Sequence, residues 1–504
     1  IAIVSMGFHE VQSDLTLSSH AYLGYVFSIS LKTYQKLPYD IQQILVNTAR
    51  ELTSYERQQT QKKEQQLLEV IRQAGVNIHS LSEQQRLSFA EKTKHIPALF
   101  EEIIGADILS KTEELLIDKY ISKNTNEMPI IIGVDADLSM DAKVSGLAIK
   151  RGASIAIDEI NLNGGVLGRK MVLLVRDNKG LPSKGISNIE YFSQHPNLIA
   201  VIGGLHSAVV IAELEVIHKL AIPLLASWSS AEKVTDHSYK PNYVFRLSAN
   251  DKLVGPFIIN QVIKNYSKPA ILLENSIWGK ENLKTMQQSL KDKGLQFVQI
   301  ETFNRGEEDF SLSLSRIRQS GANAIIMIAN PFEGQNIVKS MARQESRLPL
   351  FSHWGIIGGD FWKQTRESLK KIDLTFFQTF SFLSKLNDNA QFLGEMYLQR
   401  YGLDSVSQIS APAGVAQSYE LVHLLAQAIK QAGSINFDSK KTASITRSTV
   451  RQAMENIKSY NGVFKMYSPP FSTVNHNALD ESDYIMAKFD QTGAIIPIQK
   501  SSNN

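Results

Sequence analysis

Leu198–Ala208 reads Leu-Ile-Ala-Val-Ile-Gly-Gly-Leu-His-Ser-Ala and contains the change of pattern that decides the fold. Its apolar residues predict a buried strand, its glycines predict a tight turn, and its serine predicts the start of a helix. Similar runs of Val, Ile and Leu recur on both sides, separated by helical patterns of about 10–15 residues. This alternation is typical of right-handed β-α-β units on a parallel sheet.

The apolar runs fall into two series, which predict two lobes. The runs are residues 130–134, 172–175, 198–202 and 223–226 in the first series, and 270–273, 297–300, 324–328 and 350–352 in the second. We therefore predict an α/β fold of two doubly wound parallel-sheet lobes with a hinge over residues 129–504, with ligands bound beyond the carboxyl ends of the strands. The expected lobe ranges are 129–248 with 379–458 for lobe 1, and 249–378 with 459–504 for lobe 2.

The composition limits the classes of function. The chain has 504 residues, with 53 basic against 50 acidic side chains and no cysteine. That length exceeds what one hydrophobic core organises. The near balance of charge, without a long basic run, argues against a nucleic-acid surface. No apolar run approaches the length of about 18 residues expected of a membrane span.

The histidines could suggest catalysis or metal binding. Those at positions 206, 218, 353 and 476 lack the H-x-x-x-H spacing of a metal pair, and no cysteine accompanies them. His206 precedes Ser207, but adjacent side chains point apart and the G-x-S-x-G pattern is absent. We therefore expect no enzyme, no metal site and no cofactor.

Residues 1–121 have a mostly helical pattern. A long helix is predicted from about residue 40 to residue 74, and a capping box of Ser82 and Gln85 opens another helix. A run of polar residues predicts a linker over 122–128, which separates this segment from the strands that follow.

Three features of this first segment occur together. They are Ser19-His20-Ala21-Tyr22, the helix start Leu37-Pro38-Tyr39-Asp40-Ile41-Gln42-Gln43, and the long helix ending at Ala74-Gly75-Val76. The arrangement resembles the C-terminal part of TRAP-transporter solute-binding proteins. The resemblance implies a partial binding domain that lacks its first lobe and the arginine for the substrate carboxylate, and that should not bind its ligand alone. The start at Ile1, without an initiator methionine, fits a piece of a longer protein.

Two loops of small residues follow neighbouring strands of the first series. The loop 203–208 places Ser207 where a helix begins, and the loop 226–232 contains Ser229 and Ser230. A serine hydroxyl and the free amide groups of a helix start make an anion site. Helix capping explains either loop alone, but adjacent strand ends bring both loops to one place. We therefore predict that together they bind a ligand.

The motifs of residues 129–497 occur in a defined order. They are Gly152–Arg169, Arg176-Asp177-Asn178, Ile202–Ser207, Ile222–Leu225 and Asn242–Arg246. This order is similar to that of type I periplasmic binding proteins of the leucine/isoleucine/valine-binding kind, which serve ABC importers. The resemblance implies an α-carboxylate site and an aromatic wall. The matching residues are Ser207, Ser229, Ser230 and Ala231 for the carboxylate and Trp278 for the wall.

Three positions depart from that family. The acidic residue that pairs with an amino-acid ammonium should follow the strand 350–352, where this chain has Gly355. Ser145 replaces a tyrosine, and Asn330 stands where an aromatic pair is expected. The other candidates at strand ends facing the cleft are His206, Ala208, His353 and Trp354. We expect these departures to change which ligand binds, in favour of a small carboxylate or amide-bearing metabolite, with a zwitterionic amino acid as the alternative.

These observations predict a periplasmic solute-binding protein that captures a small carboxylate- or amino-acid-like ligand between its lobes for ABC-type import. Its expected partners are the solute and a membrane permease, and not nucleic acid. The alternative is a ligand-sensing extracytoplasmic domain of a signalling receptor, because a fused TRAP-like segment is unusual in a transport receptor. The sequence fits transport and sensing alike.

Overall fold

The computed structural model describes residues 2–18, 24–93, 96–123, 128–433, 435–436 and 440–498. The chain divides into two compact units, Ile1–Ile96 and Pro97–Asn504. The Ser-His-Ala-Tyr run at 19–22 and residues 124–127 of the predicted linker lie outside the described residues.

The first unit contains one long helix. Its helices are α1 (Ala2–Ser5), α2 (Leu31–Tyr34), α3 (Tyr39–Gln73) and α4 (Glu83–Thr93), and its strands are β1 (Asp14–Leu17) and β2 (Asn77–Ser80). The predicted long helix is confirmed as α3, which has 35 residues and spans about 52 Å at 1.5 Å per residue. The predicted capping box is also confirmed, because Gln85 N–H donates to Ser82 Oγ and Ser82 N–H donates to Gln85 Oε1.

The second unit alternates strands and helices. Its strands are β3 (Ile130–Ala136), β4 (Met171–Asp177), β5 (Leu198–Gly203), β6 (Leu224–Ala226), β7 (Val244–Arg246), β8 (Pro269–Glu274), β9 (Gln299–Phe303), β10 (Ala324–Ile328), β11 (Leu350–Ser352), β12 (Leu374–Gln378), β13 (Tyr460–Asn461), β14 (Met466–Tyr467), β15 (Ile485–Phe489) and β16 (Ile495–Pro497). The helices from Ile96 onward are α5 (Ile96–Leu99), α6 (Glu101–Ile104), α7 (Ala106–Lys123), α8 (Lys143–Leu162), α9 (Pro182–Phe192), α10 (Ser207–Lys219), α11 (Asp251–Val262), α12 (Ile277–Lys291), α13 (Ser311–Gln319), α14 (Pro331–Ala342), α15 (Phe361–Leu369), α16 (Asp388–Tyr401), α17 (Pro412–Ala432) and α18 (Lys440–Glu455).

Two large sheets organise the second unit, one in each lobe. The first sheet has the strand order β4-β3-β5-β6-β7, and the second has the order β16-β15-β12-β11-β10-β8-β9. Neighbouring strands run parallel except that β15 is antiparallel to both β12 and β16. The strands of Val, Ile and Leu are buried, as in β10, because helices cover both faces of a parallel sheet. The predicted α/β fold of two doubly wound lobes is confirmed.

The chain passes between the sheets more than once. After β12 it returns to the first sheet, where α17 packs against α8 and α18 against β5. The strands β15 and β16 then extend the second sheet beside β12. Such crossings can act as a hinge between lobes. The numerical lobe boundaries given above stay predictions.

Residues 97–123 pack with the second unit. Helix α7 contacts β4, and Glu114 Oε1 of this helix lies 3.4 Å from Arg176 Nη1 of the strand. Glu101 is 5% exposed and accepts hydrogen bonds from Arg151 Nε and Nη2 at 3.1 and 2.7 Å. These ion pairs attach the helices to the first lobe, and the second compact unit includes the residues from Pro97 onward. The domain end expected at residue 121 stays a prediction.

Replacing Glu101 by Gln should destabilise the second unit by about 3 kcal/mol, because Lys150 and Arg151 would lose the buried carboxylate that they share. Glu113 offers a matched control, since its side chain is 46% exposed at 3.6 Å from Lys150. The change Glu113→Gln should alter stability by less than about 1 kcal/mol. Urea unfolding of the full chain, followed by circular dichroism, measures both. Equal effects of the two substitutions would contradict the role given to Glu101.

Glu420 of α17 is a fully buried carboxyl that holds the segment leading back to the second sheet. It accepts hydrogen bonds from the N–H groups of Val463 and Phe464, the latter at 3.3 Å. Burial raises the pKa of Glu420 from 4.5 to about 7. The folded chain therefore keeps a proton that the unfolded chain releases between these two pH values.

The stability of the chain should consequently fall as the pH rises from 4.5 to about 7, by about 3 kcal/mol from this carboxyl alone. The variant Glu420→Gln keeps an acceptor for the two N–H groups but cannot ionise. It should lose less stability than the native chain between pH 5 and pH 8. Denaturant titrations at the two pH values give the difference, and a variant with the native pH dependence would refute this assignment.

Candidate ligand-binding site

A pocket lies between the two sheets, at the carboxyl ends of their strands. The predicted ligand-binding residues that line it are His206, Ser207, Ala208, Ser229, Ser230, Trp278, Asn330 and Trp354. The other lining residues are Leu205, Trp228, Glu274, Ser276, Arg305 and Gly355. The cavity volume is about 60 Å³. The strand ends thus bring together loops that are far apart in the sequence, as expected for doubly wound sheets.

The two serine loops of the first lobe are joined by hydrogen bonds. Ser207 is the first residue of α10 and does not cap it, because its Oγ accepts a hydrogen bond from Ala231 N–H at 3.3 Å. Ser229 N–H donates to the carbonyl oxygen of Gly204. Gly204 has a φ of 77°, and a Cβ at this position would lie 3.0 Å from Ser229 Oγ. Glycine therefore permits the close approach of the loops. The side-chain cap expected of Ser207 is replaced by a bond to the neighbouring loop.

Ser229 carries a buried hydroxyl without a partner. The residue is 2% exposed, and its Oγ has no hydrogen bond to any part of the chain that the structure describes. The first amide groups of α10, next to it, have no acceptor within their own helix because every helix start leaves such groups unpaired. An unpaired hydroxyl and the positive end of a helix dipole together favour a negatively charged oxygen.

A buried arginine fixes the second serine loop. Arg246 Nη1 donates to the carbonyl oxygens of Ser230 and Ala231 at 3.0 and 2.7 Å, and Arg246 Nε donates to Asn477 Oδ1 at 2.7 Å. Burial lowers the pKa of Arg246 to about 10, so the guanidinium remains charged at neutral pH. The arginine thus engages two carbonyl oxygens that would otherwise repel an anionic ligand.

A charged pair contributes to the wall from the second lobe. Glu274, the last residue of β8, accepts hydrogen bonds from Asn330 Nδ2 at 2.6 Å and from Arg305 Nε at 3.3 Å. Glu274 is buried, whereas the side chain of Arg305 is 54% exposed. Among the residues that the structure describes, Glu274 is the carboxylate that lines the pocket. Sequence reasoning missed both charges, although Glu274 directly follows the predicted strand 270–273, at its carboxyl end.

The position at which an acidic residue was expected has no room for a side chain. A Cβ on Gly355 would lie 2.5 Å from the carbonyl oxygen of Ala329 and 2.8 Å from Cη2 of Trp278. The ring of Trp278 therefore takes the space that a side chain at residue 355 would need.

Two predicted residues lie beside the pocket without lining it. Ala231 is fully buried and contributes its N–H group to Ser207, as described above. Ser145 is also fully buried and lies where the lobes touch, since a Cβ on Gly358 of the second lobe would come within 3.3 Å of Ser145 Oγ. Ser145 thus belongs to the contact between the lobes.

The histidines at the two strand ends differ. His353 is fully buried, its Nδ1 accepts a hydrogen bond from Trp354 N–H at 2.9 Å, and its Nε2 lies 2.9 Å from Asp251 Oδ1. Because Nδ1 is an acceptor, Nε2 carries the proton and donates to Asp251. Both ring nitrogens are therefore occupied, and His353 does not line the pocket. His206 does line it, with Nε2 3.6 Å from Asp137 Oδ2.

Comparison with known families agrees with this architecture. A family model described as "Periplasmic binding protein" matches residues 129–494, which is most of the chain. The chain belongs to this family. A second model, described as "Bacterial extracellular solute-binding protein, family 7", matches residues 1–102 of this periplasmic binding protein. Both resemblances inferred from the sequence motifs are confirmed.

Relatives of this periplasmic binding protein are named as Leu/Ile/Val-binding proteins. Leu/Ile/Val-binding protein BraC3 of Rhizobium johnstonii is 24% identical over 307 residues, which are 60% of this chain and 80% of that protein. Leu/Ile/Val-binding protein homolog 2 of Brucella abortus is 26% identical over 238 residues, which are 47% of this chain and 63% of that protein.

Solved structures show the same fold. The branched-chain amino acid transporter substrate-binding protein LivJ of Streptococcus pneumoniae, in complex with isoleucine, is 23% identical with a TM-score of 0.62, and the match covers 73% of this chain and 100% of that chain. A periplasmic binding protein type 1 of Bordetella pertussis is 19% identical with a TM-score of 0.65 and the same coverage. At these identities the likeness concerns the fold.

The described residues contain neither a cluster of metal ligands nor a helix that could span a membrane. Within them, no group of three or more histidine, cysteine or acidic side chains could hold a metal ion. No helix in the same part of the chain is long and apolar enough to cross a membrane.

Proposed function

We propose that this periplasmic binding protein works outside the cytoplasm, where it captures a small carboxylate- or amino-acid-like solute in the cleft between its lobes and delivers it to an ABC-type membrane permease. The observation that carries the proposal is the unpartnered hydroxyl of Ser229 beside the start of α10. Leaving a buried hydroxyl without a hydrogen bond costs about 1–3 kcal/mol. A carboxylate oxygen of the solute would accept that hydrogen bond.

The electrostatics of the first lobe support an anion at this place. The dipole of α10 and its free amide groups attract negative charge, and Arg246 occupies the carbonyl oxygens of the adjacent loop. Each hydrogen bond to a charged group contributes roughly 1.5–3 kcal/mol, so three would supply roughly 5–9 kcal/mol before ordering costs. A micromolar complex requires about 8 kcal/mol, which is within this range.

Glu274 in the opposite wall suits a hydrogen-bond donor on the solute. A carboxylate offers about four lone-pair sites, and Asn330 and Arg305 use two of them. The remaining sites can accept from an ammonium or an amide N–H group. This supports a solute that carries an amino or amide group together with its carboxylate.

The comparisons support the amino-acid side of this proposal. The relatives are named as Leu/Ile/Val-binding proteins, and the matching LivJ structure contains isoleucine and is described as part of a transporter. Import is therefore favoured over sensing, because several related structures, LivJ among them, are described as belonging to transporters.

Replacing Ser229 by Ala should weaken the binding of a carboxylate solute by about 10- to 100-fold, since one hydrogen bond to a charged group is lost. Isothermal titration of the full chain with a panel of small carboxylates and amino acids measures this. Ser289 of α12 provides a matched control because its hydroxyl is also buried and unpartnered but lies outside the pocket. The proposal would be contradicted if Ser289→Ala and Ser229→Ala weakened binding equally. It would also be contradicted if the native chain bound nothing in the panel.

Replacing Glu274 by Gln should separate amino acids from plain carboxylates. The substitution removes the charge that faces an ammonium, so affinity for an amino acid should fall by about 10-fold or more. Affinity for the corresponding carboxylate without the amino group should change by less than about threefold, because its contacts lie in the first lobe. Glu301 of β9, paired with Arg316 outside the pocket, serves as the control through Glu301→Gln. Equal losses for both kinds of solute would rule out a role for Glu274 in ammonium recognition.

A further inference from the structure

Two indole rings from opposite lobes stack across the cleft. Trp228 follows β6 in the first lobe, and Trp354 opens the 3-10 turn Trp354–Gly358 after β11 in the second. Their ring centroids are 5.0 Å apart with an interplanar angle of 25°. Trp228 is 5% exposed and Trp354 is 1% exposed, and both line the pocket. The stack is therefore a contact between the lobes and a wall of the pocket.

The ring of Trp228 is fixed by the helix behind it. A Cβ on Gly414 of α17 would lie 2.9 Å from Cζ3 of Trp228, so the ring lies directly against the backbone of this helix. The carbonyl oxygen of Trp228 accepts a hydrogen bond from Ser248 Oγ at 2.7 Å. The indole consequently cannot move back into the first lobe to admit a larger solute.

The ring of Trp354 is fixed in a similar way. Its backbone N–H donates to His353 Nδ1, and His353 in turn is held by Asp251 of α11. Phe377 of β12 packs against the indole with ring centroids 5.5 Å apart. Neither indole can leave the stack without moving backbone or a buried aromatic neighbour, so the stack limits the space beside the serine loops.

The remaining cavity is small for an amino acid with a large side chain. Its volume is about 60 Å³, whereas a cavity of about 150 Å³ is what holds a single benzene molecule. Leucine has more heavy atoms than benzene, and its carboxylate and ammonium must fit in the same space. Alanine has as many heavy atoms as benzene and glycine has fewer, so these two solutes require less displacement of the rings than leucine does.

We infer that Trp228 and Trp354 determine specificity by size, and that they restrict the site to small carboxylates or amino acids whose side chain is no larger than about a methyl group. The inference rests on the proposed function, since it concerns the same site. It adds that the chain discriminates against branched-chain amino acids through the stack. Larger solutes must separate the two rings and thereby weaken the contact that closes the cleft.

The test uses the full chain and three probes, glycine, L-alanine and L-leucine, in isothermal titrations. The native chain should bind alanine or glycine at least about 30-fold more tightly than leucine, a ratio that steric exclusion from a pocket can supply. Leucine bound as tightly as alanine would overturn the size limit and leave the carboxylate site intact. Failure of all three probes to bind would instead overturn the amino-acid form of the proposed function, and the size limit with it.

The variants Trp354→Leu and Trp228→Leu should each raise the affinity for leucine relative to alanine by about 10-fold, because either one breaks the stack. Trp362→Leu in α15 is the matched control, since this indole packs against Gly493 outside the pocket, and it should leave the ratio unchanged. Circular dichroism identifies which variants fold, and one folded variant of the pair suffices. A folded stack variant with the native ratio of affinities, or a control that shifts the ratio equally, would overturn the inference.

Discussion

The hydrogen bonds that join the two serine loops bring their hydroxyl and backbone groups together at the pocket. Ala231 N–H donates to Ser207 Oγ, and Ser229 N–H donates to the carbonyl oxygen of Gly204. These bonds hold together the loops after β5 and β6, which adjacent parallel strands already bring close. The hydroxyl of Ser229 is left unpartnered among the described residues. Local structure thus produces an unsatisfied donor at the start of a helix.

The two lobes contribute different chemistry to the same cavity. The first lobe offers hydroxyl and amide donors without a formal charge, whereas the second offers Glu274 and Arg305, which form an ion pair. Under the proposed function, a solute would meet an anion site on one side and a more selective polar wall on the other. Gly355, with no room for a side chain, and Trp354 belong to the second wall, and Trp354 stacks on Trp228 of the first wall. The residues that line the pocket consequently come from distant parts of the sequence.

The sequence predicted the features that follow from local periodicity. Buried runs such as Ala324–Ile328 indicated parallel strands, and the chain order of the serine loops after β5 and β6 indicated that they would meet. Other features depend on contacts that local pattern does not contain. His353 does not line the pocket, and its ring is held by Asp251, which is far away in the sequence. The start of the second compact unit at Pro97 likewise depends on the contact between Glu101 and Arg151.

The central claim is that the carboxylate of the solute completes the hydrogen bonding of Ser229 at the start of α10. A crystal structure of the full chain grown with L-alanine tests it most directly. We predict a carboxylate oxygen within about 3 Å of Ser229 Oγ, a normal hydrogen-bond distance, together with contacts to the first amide groups of α10. A carboxylate held elsewhere in the cleft, with the Ser229 hydroxyl still unpartnered, would contradict the account.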